Sequence, residues 1–132
     1  MTHLLVVDDD EDLATLYKEE LTDDGYEVTL VRSGKAALQS VDDKRPDLVV
    51  LDISMPDIDG IEALGKILGK DKTIPVILNT AYGIYKDNFM TWFADAYVVK
   101  SGDLAELKER IKEVLKELPE LGAVQDQPDH PI

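Results

Sequence analysis

Residues 4–10 of the chain read Leu-Leu-Val-Val-Asp-Asp-Asp, and this stretch decides the fold. Four apolar residues in a row are typical of a strand that is covered on both faces, as in a parallel sheet. Three acidic residues follow directly, which places carboxylates where the strand ends. The pattern recurs at Leu48–Leu51, since Leu-Val-Val-Leu leads directly into Asp52. Both stretches therefore predict parallel strands whose carboxyl ends carry acidic side chains.

Short apolar runs alternate with helical patterns along the rest of the chain. The predicted strands are Leu4–Asp8, Tyr26–Val31, Asp47–Leu51, Pro75–Asn79 and Ala96–Val99. A helical pattern follows each strand: Leu13, Leu16, Tyr17 and Leu21 with a stop at Gly25, a helix capped by Ser33, Ile61–Leu68, Ile84–Phe93, and Leu104–Leu118. Five strand-then-helix units with short connections predict an α/β fold, a doubly wound five-stranded parallel sheet with five helices.

The composition limits the class of protein. The length of 132 residues suits one compact domain, which we expect over residues 1–118, followed by a proline-containing acidic tail over 119–132. The net charge of −14 repels phosphates and anionic lipids, so direct binding to nucleic acid or a membrane is not expected. The absence of cysteine excludes disulfides and thiolate metal sites. Without a long apolar run or a leader pattern, the expected location is cytoplasmic.

Several polar side chains follow the predicted strands at one edge of the sheet. They are Asp8, Asp9, Asp52, Thr80 and Lys100. Each has a purely structural explanation, because acidic residues favour a helix start, Asp52 can begin a turn, and lysine is a common surface charge. In doubly wound sheets, however, ligands bind beyond the carboxyl ends of the strands. The common position of these side chains therefore indicates a site.

The residue types at this edge suit phosphoryl chemistry. Carboxylates a few ångströms apart repel one another, and oxygen ligands without cysteine favour Mg²⁺ as the cation between them. Asp8 and Asp9 can anchor such an ion beside Asp52, while Lys100 and Thr80 can hold phosphoryl oxygens. Phosphoryl transfer depends mainly on positioning and charge neutralisation. A carboxylate nucleophile would give an aspartyl phosphate.

Five segments together resemble the receiver domains of response regulators in two-component signal transduction. They are Leu4–Asp9, Val49–Pro56, Asp59-Gly60, Asn79–Ala81 and Asp95–Lys100, and the likeness extends over about residues 3–118. It implies the chemotaxis-regulator-like, flavodoxin-like topology with strand order 2-1-3-4-5. It also implies a phosphorylation-activated switch that catalyses only its own phosphorylation and dephosphorylation, and is not an enzyme acting on an external substrate.

The resemblance also implies a role for each matching residue. Asp52 corresponds to the phosphoacceptor, Thr80 to the switch hydroxyl and Lys100 to the phosphoryl-binding lysine. Tyr97 corresponds to the aromatic residue whose rotamer reports phosphorylation. The implied Mg²⁺ ligands are Asp8, Asp9, Asp52 and the backbone carbonyl of Ser54.

The implied partners lie upstream and downstream of the switch. Upstream is a histidine kinase or a phosphotransfer protein that carries phosphohistidine, and downstream is an output protein or a fused output domain. Six of the eight aromatic residues lie within residues 82–97. Exposed aromatic side chains are favoured at interfaces. We therefore expect the surface of the predicted fourth helix, the fifth strand and the fifth helix to bind a partner or, in a homodimer, a second copy.

Two positions depart from the family pattern, and two other functions share part of it. Ser101 follows the lysine where the family usually has proline, and Phe93 stands where it usually has glycine. A haloacid-dehalogenase-type phosphatase also uses an aspartate nucleophile and Mg²⁺, but Asp12 stands where its first motif has threonine or valine. A flavodoxin-like carrier of FMN shares the topology, but the acidic run after the first strand would repel the FMN phosphate.

Overall fold

The computed structural model describes residues 1–52, 60–80, 94–100 and 104–117. These residues contain five strands and four helices: β1 (His3–Val7), α1 (Glu11–Asp23), β2 (Glu27–Val31), α2 (Gly34–Asp43), β3 (Leu48–Leu51), α3 (Gly60–Lys70), β4 (Val76–Thr80), β5 (Ala96–Val99) and α4 (Ala105–Glu117). The helix predicted over Ile84–Phe93 lies outside the described residues, as does the tail over 119–132. The helix predicted fifth along the chain is therefore α4.

All five strands belong to one parallel sheet with the order β2-β1-β3-β4-β5. The predicted α/β class and the strand order 2-1-3-4-5 are confirmed. The strand order reverses between β1 and β3, where ligands bind in doubly wound folds. Val7 of β1 is opposite Leu51 of β3. The register thus brings Asp8 and Asp52, the next residue of each strand, side by side at this point.

Two apolar clusters cover the two faces of the sheet. One joins α2 and α3 to the sheet, and the other joins α1 and α4 to it. Val49 and Leu51 of β3 belong to the first cluster and Val50 to the second, as the alternation of side chains along a strand requires. The prediction that β5 is also covered on both faces is wrong, because Val99 is 42% exposed on this edge strand.

Two helix ends follow the signals in the sequence. The Ser33 hydroxyl caps α2 by accepting a hydrogen bond from the Ala36 N–H at 3.0 Å. Gly25 follows α1 with a φ of 99°, and its N–H donates to the Thr22 carbonyl at 2.9 Å. A positive φ of this kind is favourable only for glycine, which explains why α1 stops there.

The apolar face of α1 differs from the predicted one. Leu16 is 39% exposed, so its assignment to the buried face is wrong. Ala14, Tyr17 and Leu21 are buried instead. Their spacing of three and four residues follows the helical period more closely, since Leu16 lies one residue away from Tyr17 and points to a different side. None of the helices within the described ranges is long and apolar enough to cross a membrane.

Two glycine substitutions are expected to change stability in opposite directions. A Cβ at Gly69, on the exposed side of α3, meets no atom within 4 Å. Gly69→Ala should therefore raise the free energy of unfolding by about 0.5 kcal/mol, because alanine favours the helix. Gly25→Ala should lower it by about 1 kcal/mol, because its φ is positive. Urea unfolding measures both changes, and equal shifts of the same sign would contradict the explanation.

The loops at the amino ends of the strands are joined by ion pairs. Arg45 Nε lies 2.7 Å from Asp71 Oδ2, and Lys44 Nζ lies 2.6 Å from Glu27 Oε2. Hydrogen bonds from Thr73 and then from Arg45 lower the pKa of Asp71 to about 2. These carboxylates have basic partners close by. The acidic run Asp8–Asp10 lies at the opposite end of the sheet, where acidic side chains are more closely grouped.

Candidate functional site

Lys100 joins two carboxylates at the carboxyl edge of the sheet. Its Nζ lies 2.7 Å from Asp8 Oδ2 and 3.2 Å from Asp52 Oδ2. The backbone holds these residues in place, because the Asp52 N–H donates to the Val7 carbonyl at 3.0 Å and the Lys100 N–H donates to the Thr80 carbonyl at 2.7 Å. Three side chains that are far apart in the sequence thus meet where the sequence predicted.

The ion cluster is largely withdrawn from water. Asp8 is 1% and Asp52 5% exposed, and the Lys100 side chain is 13% exposed. Burial acts to lower the pKa of Lys100, but its hydrogen bond to Asp8 and the charges of Asp8 and Asp52 outweigh this effect and raise the pKa above 10.5. Lys100 is therefore an ammonium ion at neutral pH. Its stabilising effect is complete below pH 10.5 and is lost as the pH rises through the raised pKa.

Asp9 completes an acidic pocket with Asp8 and Asp52. One carboxylate oxygen from each residue lies within 4.8 Å of the other two, and only Asp9 is exposed. Among the groups that the structure describes here, the three carboxylates outnumber the ammonium group of Lys100, and a divalent cation can neutralise the remaining negative charge. An all-oxygen ligand set fits Mg²⁺. Ser54, the further ligand implied by the family resemblance, lies outside the described residues.

Asp10, the third residue of the acidic run, has a structural role. Its Oδ1 accepts a hydrogen bond from the Leu13 N–H at 3.1 Å and so caps α1. Its backbone N–H donates to Asp8 Oδ1 at 3.0 Å, which helps to fix that carboxylate. The run therefore divides into two residues that enter the pocket and one that begins the helix.

The two predicted switch residues lie on neighbouring strands. Thr80 ends β4 and is fully buried, while Tyr97 on β5 is half-buried and packs against the cluster under α2 and α3. Leu78 is opposite Tyr97 in the register and belongs to the same cluster. Because side chains alternate along β4, Thr80 lies on the same face as Leu78 and Tyr97. A displacement of Thr80 would therefore change the packing on the face of the sheet where Tyr97 lies.

Sequence reasoning missed a buried polar pair next to the pocket. Asn79 Nδ2 donates a hydrogen bond to Tyr17 Oη at 2.9 Å, and the two residues are 3% and 1% exposed. The sequence places Tyr17 on the apolar face of the first helix and Asn79 at the end of the fourth strand, within the Asn79–Ala81 segment that resembles the family, and it does not pair them. The available signal was the amide itself, since a polar side chain in a strand as apolar as β4 needs a buried partner.

Comparison with known proteins finds relatives among bacterial regulators. Residues 4–112 match the family model described as the response regulator receiver domain. The response regulator ArlR of Staphylococcus epidermidis is 38% identical over 122 residues, which are 91% of this chain and 55% of that protein. The transcriptional regulatory protein PrrA of Mycobacterium tuberculosis is 37% identical over 115 residues, which are 86% of this chain and 49% of that protein. The chain thus spans about half the length of these curated relatives.

A solved response regulator has the same fold. TrrA of Thermotoga maritima, crystallised with Mg²⁺–BeF, is 45% identical with a TM-score of 0.84, and the likeness covers 86% of this chain and 99% of TrrA. TrrA in complex with the histidine kinase ThkA gives a TM-score of 0.82 at 45% identity, over 87% of this chain and 99% of TrrA. With the family match over residues 4–112, the fold and these relatives show that the chain belongs to the response regulator receiver domains of two-component signal transduction.

Proposed function

We propose that this receiver domain is a switch that accepts a phosphoryl group on Asp52. The observation that carries the proposal is the buried contact of one ammonium group, Lys100 Nζ, with the carboxylates of both Asp8 and Asp52. Asp52 follows the central strand β3, at the point where the strand order reverses. A nucleophile at this point has a cation beside it and further acidic ligands within reach.

In the proposed reaction, an Asp52 carboxylate oxygen attacks the phosphorus atom of a phosphohistidine on the donor. The new bond from oxygen to phosphorus forms as the bond from phosphorus to the imidazole nitrogen breaks, and the imidazole leaves with the electron pair. Lys100 and the Thr80 hydroxyl donate hydrogen bonds to the transferred phosphoryl oxygens. Mg²⁺, when bound at this site, would supply positive charge to neutralise the charge that develops in this transfer. The proposed ligands are the carboxylates of Asp8, Asp9 and Asp52 and the backbone carbonyl of Ser54.

The proposed output follows from the position of the switch residues. When Thr80 turns towards the phosphoryl group, Tyr97 on the same face of the neighbouring strand moves into the space beside it. This movement changes the surface of the predicted helix over Ile84–Phe93, of β5 and of α4, where an output partner or a second copy binds. Hydrolysis of the aspartyl phosphate in the same pocket returns the domain to its unphosphorylated state. The domain therefore catalyses only its own phosphorylation and dephosphorylation and turns over no external substrate.

The proposed partners are a histidine kinase or phosphotransfer protein as donor, and an output protein or fused output domain as target. The likeness to TrrA, which forms a complex with the kinase ThkA, supports the donor. The greater length of ArlR and PrrA supports a fused output domain. The net charge of −14 argues against direct binding of nucleic acid by the receiver domain itself. Its proposed location is the cytoplasm, as expected from the sequence.

Phosphoramidate, a small phosphoryl donor, tests the proposal. With Mg²⁺, intact-protein mass spectrometry should find one acid-labile phosphoryl group, and peptide mapping should locate it on Asp52. Asp9→Asn should need about tenfold more Mg²⁺ for half-maximal uptake, because a charged ligand is lost. Asp10→Asn is the matched control, since asparagine also caps a helix and the charge change is the same. Uptake on a different residue, or no uptake at saturating Mg²⁺, would contradict the proposal.

A further inference from the structure

The carboxyl end of β4 pairs differently from the rest of that strand. Within the ranges that the structure describes, the register of β4 with the central strand β3 ends at the pair of Leu51 and Leu78. The register of β4 with β5 continues to Thr80. The last two residues of β4, Asn79 and Thr80, therefore run beside β5, which lies at the edge of the sheet. The predicted switch hydroxyl belongs to this end of the strand.

A buried hydrogen bond attaches the same end of β4 to α1. Asn79 Nδ2 donates to Tyr17 Oη at 2.9 Å, and both residues are buried. Because side chains alternate along β4, Asn79 points to the face that α1 covers, while Thr80 points to the opposite face. Burial raises the pKa of Tyr17, so its hydroxyl is uncharged at neutral pH. The bond thus joins two neutral groups and holds the residue that directly precedes Thr80.

The helix that provides this contact is itself attached to the acidic pocket. Asp10 caps α1, and its backbone N–H donates to Asp8 Oδ1 at 3.0 Å. Tyr17 lies about two turns further along α1 and is buried in the cluster that joins α1 and α4 to the sheet. An apolar contact is non-directional, whereas a hydrogen bond specifies both a distance and an angle. The bond to Asn79 therefore relates the position of Thr80 to that of a pocket carboxylate.

We propose that Asn79, held by Tyr17, is a positioning residue that aligns the Thr80 hydroxyl with the phosphoryl group transferred to Asp52. Asn79 acts through Thr80 and needs no contact with the phosphoryl group. In the proposed reaction the Thr80 hydroxyl donates to a phosphoryl oxygen, and a group displaced by about 1 Å loses much of its effect on a rate. This inference rests on the proposed function, because Thr80 meets a phosphoryl group only if Asp52 accepts one.

Stability and reaction rate together distinguish positioning from structural support. Tyr17→Phe leaves the Asn79 amide buried without this partner, so it should lower the urea midpoint of unfolding. The double variant of Tyr17→Phe with Asn79→Leu replaces both polar groups by apolar ones of similar shape and should return the midpoint close to that of the wild type. Phosphorylation by phosphoramidate at saturating Mg²⁺ should be about fivefold slower in both variants, because neither fixes the end of β4. Tyr26→Phe, just before β2, is the matched control and should change neither quantity.

A Thr80→Ala background shows whether the effect passes through the hydroxyl. Thr80→Ala alone should react about tenfold more slowly, as expected for the loss of one hydrogen bond to a charged group. Adding Tyr17→Phe and Asn79→Leu to Thr80→Ala should cause no further loss of rate, because no hydroxyl remains to be aligned.

Three results would overturn the inference: a double variant that reacts at the wild-type rate, a further loss of rate when its substitutions are added to Thr80→Ala, or a wild-type rate for Thr80→Ala itself. If Tyr17→Phe does not fold, or the double variant stays less stable than the wild type, the comparison in the Thr80→Ala background decides. A wild-type protein that takes up no phosphoryl group on Asp52 would instead overturn the proposed function.

Discussion

Asp52→Asn is expected to abolish phosphoryl uptake and, in the absence of divalent cations, to raise the melting temperature. Uptake stops because a neutral amide is a poor nucleophile compared with a carboxylate. Stability rises because Asp52, 5% exposed, has a carboxylate oxygen within 4.8 Å of those of Asp8 and Asp9. A substitution at the proposed functional centre would then make the resting protein more stable.

The expected sign of the stability change is argued from the charge interactions of Asp52 with Asp8, Asp9 and Lys100. At an effective dielectric constant of about 20, each repulsion between carboxylate oxygens that lie within 4.8 Å costs at least about 3.5 kcal/mol, and the attraction of Asp52 to Lys100 at 3.2 Å contributes about 5 kcal/mol. The two repulsions together exceed the one attraction. Removing the charge also removes the cost of burying it. The metal-free variant should therefore melt several degrees higher than the wild type.

Thermal unfolding in EDTA and in Mg²⁺ measures this effect. Mg²⁺ should raise the melting temperature of the wild type, because a ligand that binds only the folded state stabilises it. The rise should be smaller for Asp52→Asn, which lacks one proposed ligand. Asp10→Asn again serves as the control for a general reduction in negative charge. A melting temperature in EDTA that is unchanged or lower in Asp52→Asn would argue against a repulsive pocket.

The sheet and the meeting of the charged residues could be predicted because they depend on patterns that are local in the sequence. Runs such as Leu48–Leu51 need cover on both faces, and two apolar clusters provide it. Once the strands are parallel, the residues that follow them share one edge. Asp8, Asp52 and Lys100 could therefore be placed together without knowledge of any side-chain orientation.

The remaining details depend on where one element stops and the next begins, or on pairs distant in sequence. Asp8 and Asp10 are chemically identical, and only the end of β1 and the start of α1 decide which enters the pocket and which caps the helix. Tyr17 and Asn79 are 62 residues apart, and their contact depends on how α1 lies across the sheet. The periodicity of the sequence alone places Leu16 on the buried face of α1, but Leu16 is exposed once the helix is packed against the sheet.

Lys100→Met is expected to impair both the fold and the reaction. Methionine matches the length of the lysine stem but leaves Asp8 and Asp52 buried without their common cation. Removing one partner of a buried ion pair typically lowers the free energy of unfolding by about 3–5 kcal/mol. Loss of the donor to the phosphoryl oxygens should also slow phosphorylation about a hundredfold. Urea unfolding in EDTA and the phosphoramidate reaction measure the two effects separately.

Lys108→Met provides a control with the same chemical change. Lys108 also contacts two carboxylates, with its Nζ 2.8 Å from Glu20 Oε1 and 3.6 Å from Asp24 Oδ2, but these partners are at the surface. Exposed ion pairs contribute little to stability, so this variant should unfold close to the wild type and react at its rate. A similar loss of stability in both variants would show that the burial of the Lys100 cluster is not what matters.

The double variant Lys100→Met with Asp52→Asn separates stability from chemistry. The second substitution removes one of the two carboxylates left without a cation, so most of the lost stability should return. Phosphorylation should not return, because the nucleophile is absent. Mg²⁺ should likewise stabilise Lys100→Met more than it stabilises the wild type, since a divalent cation can replace the missing charge. If the double variant is no more stable than Lys100→Met, uncompensated charge is not the cause of the loss, and the arrangement of Asp8, Lys100 and Asp52 needs a different explanation.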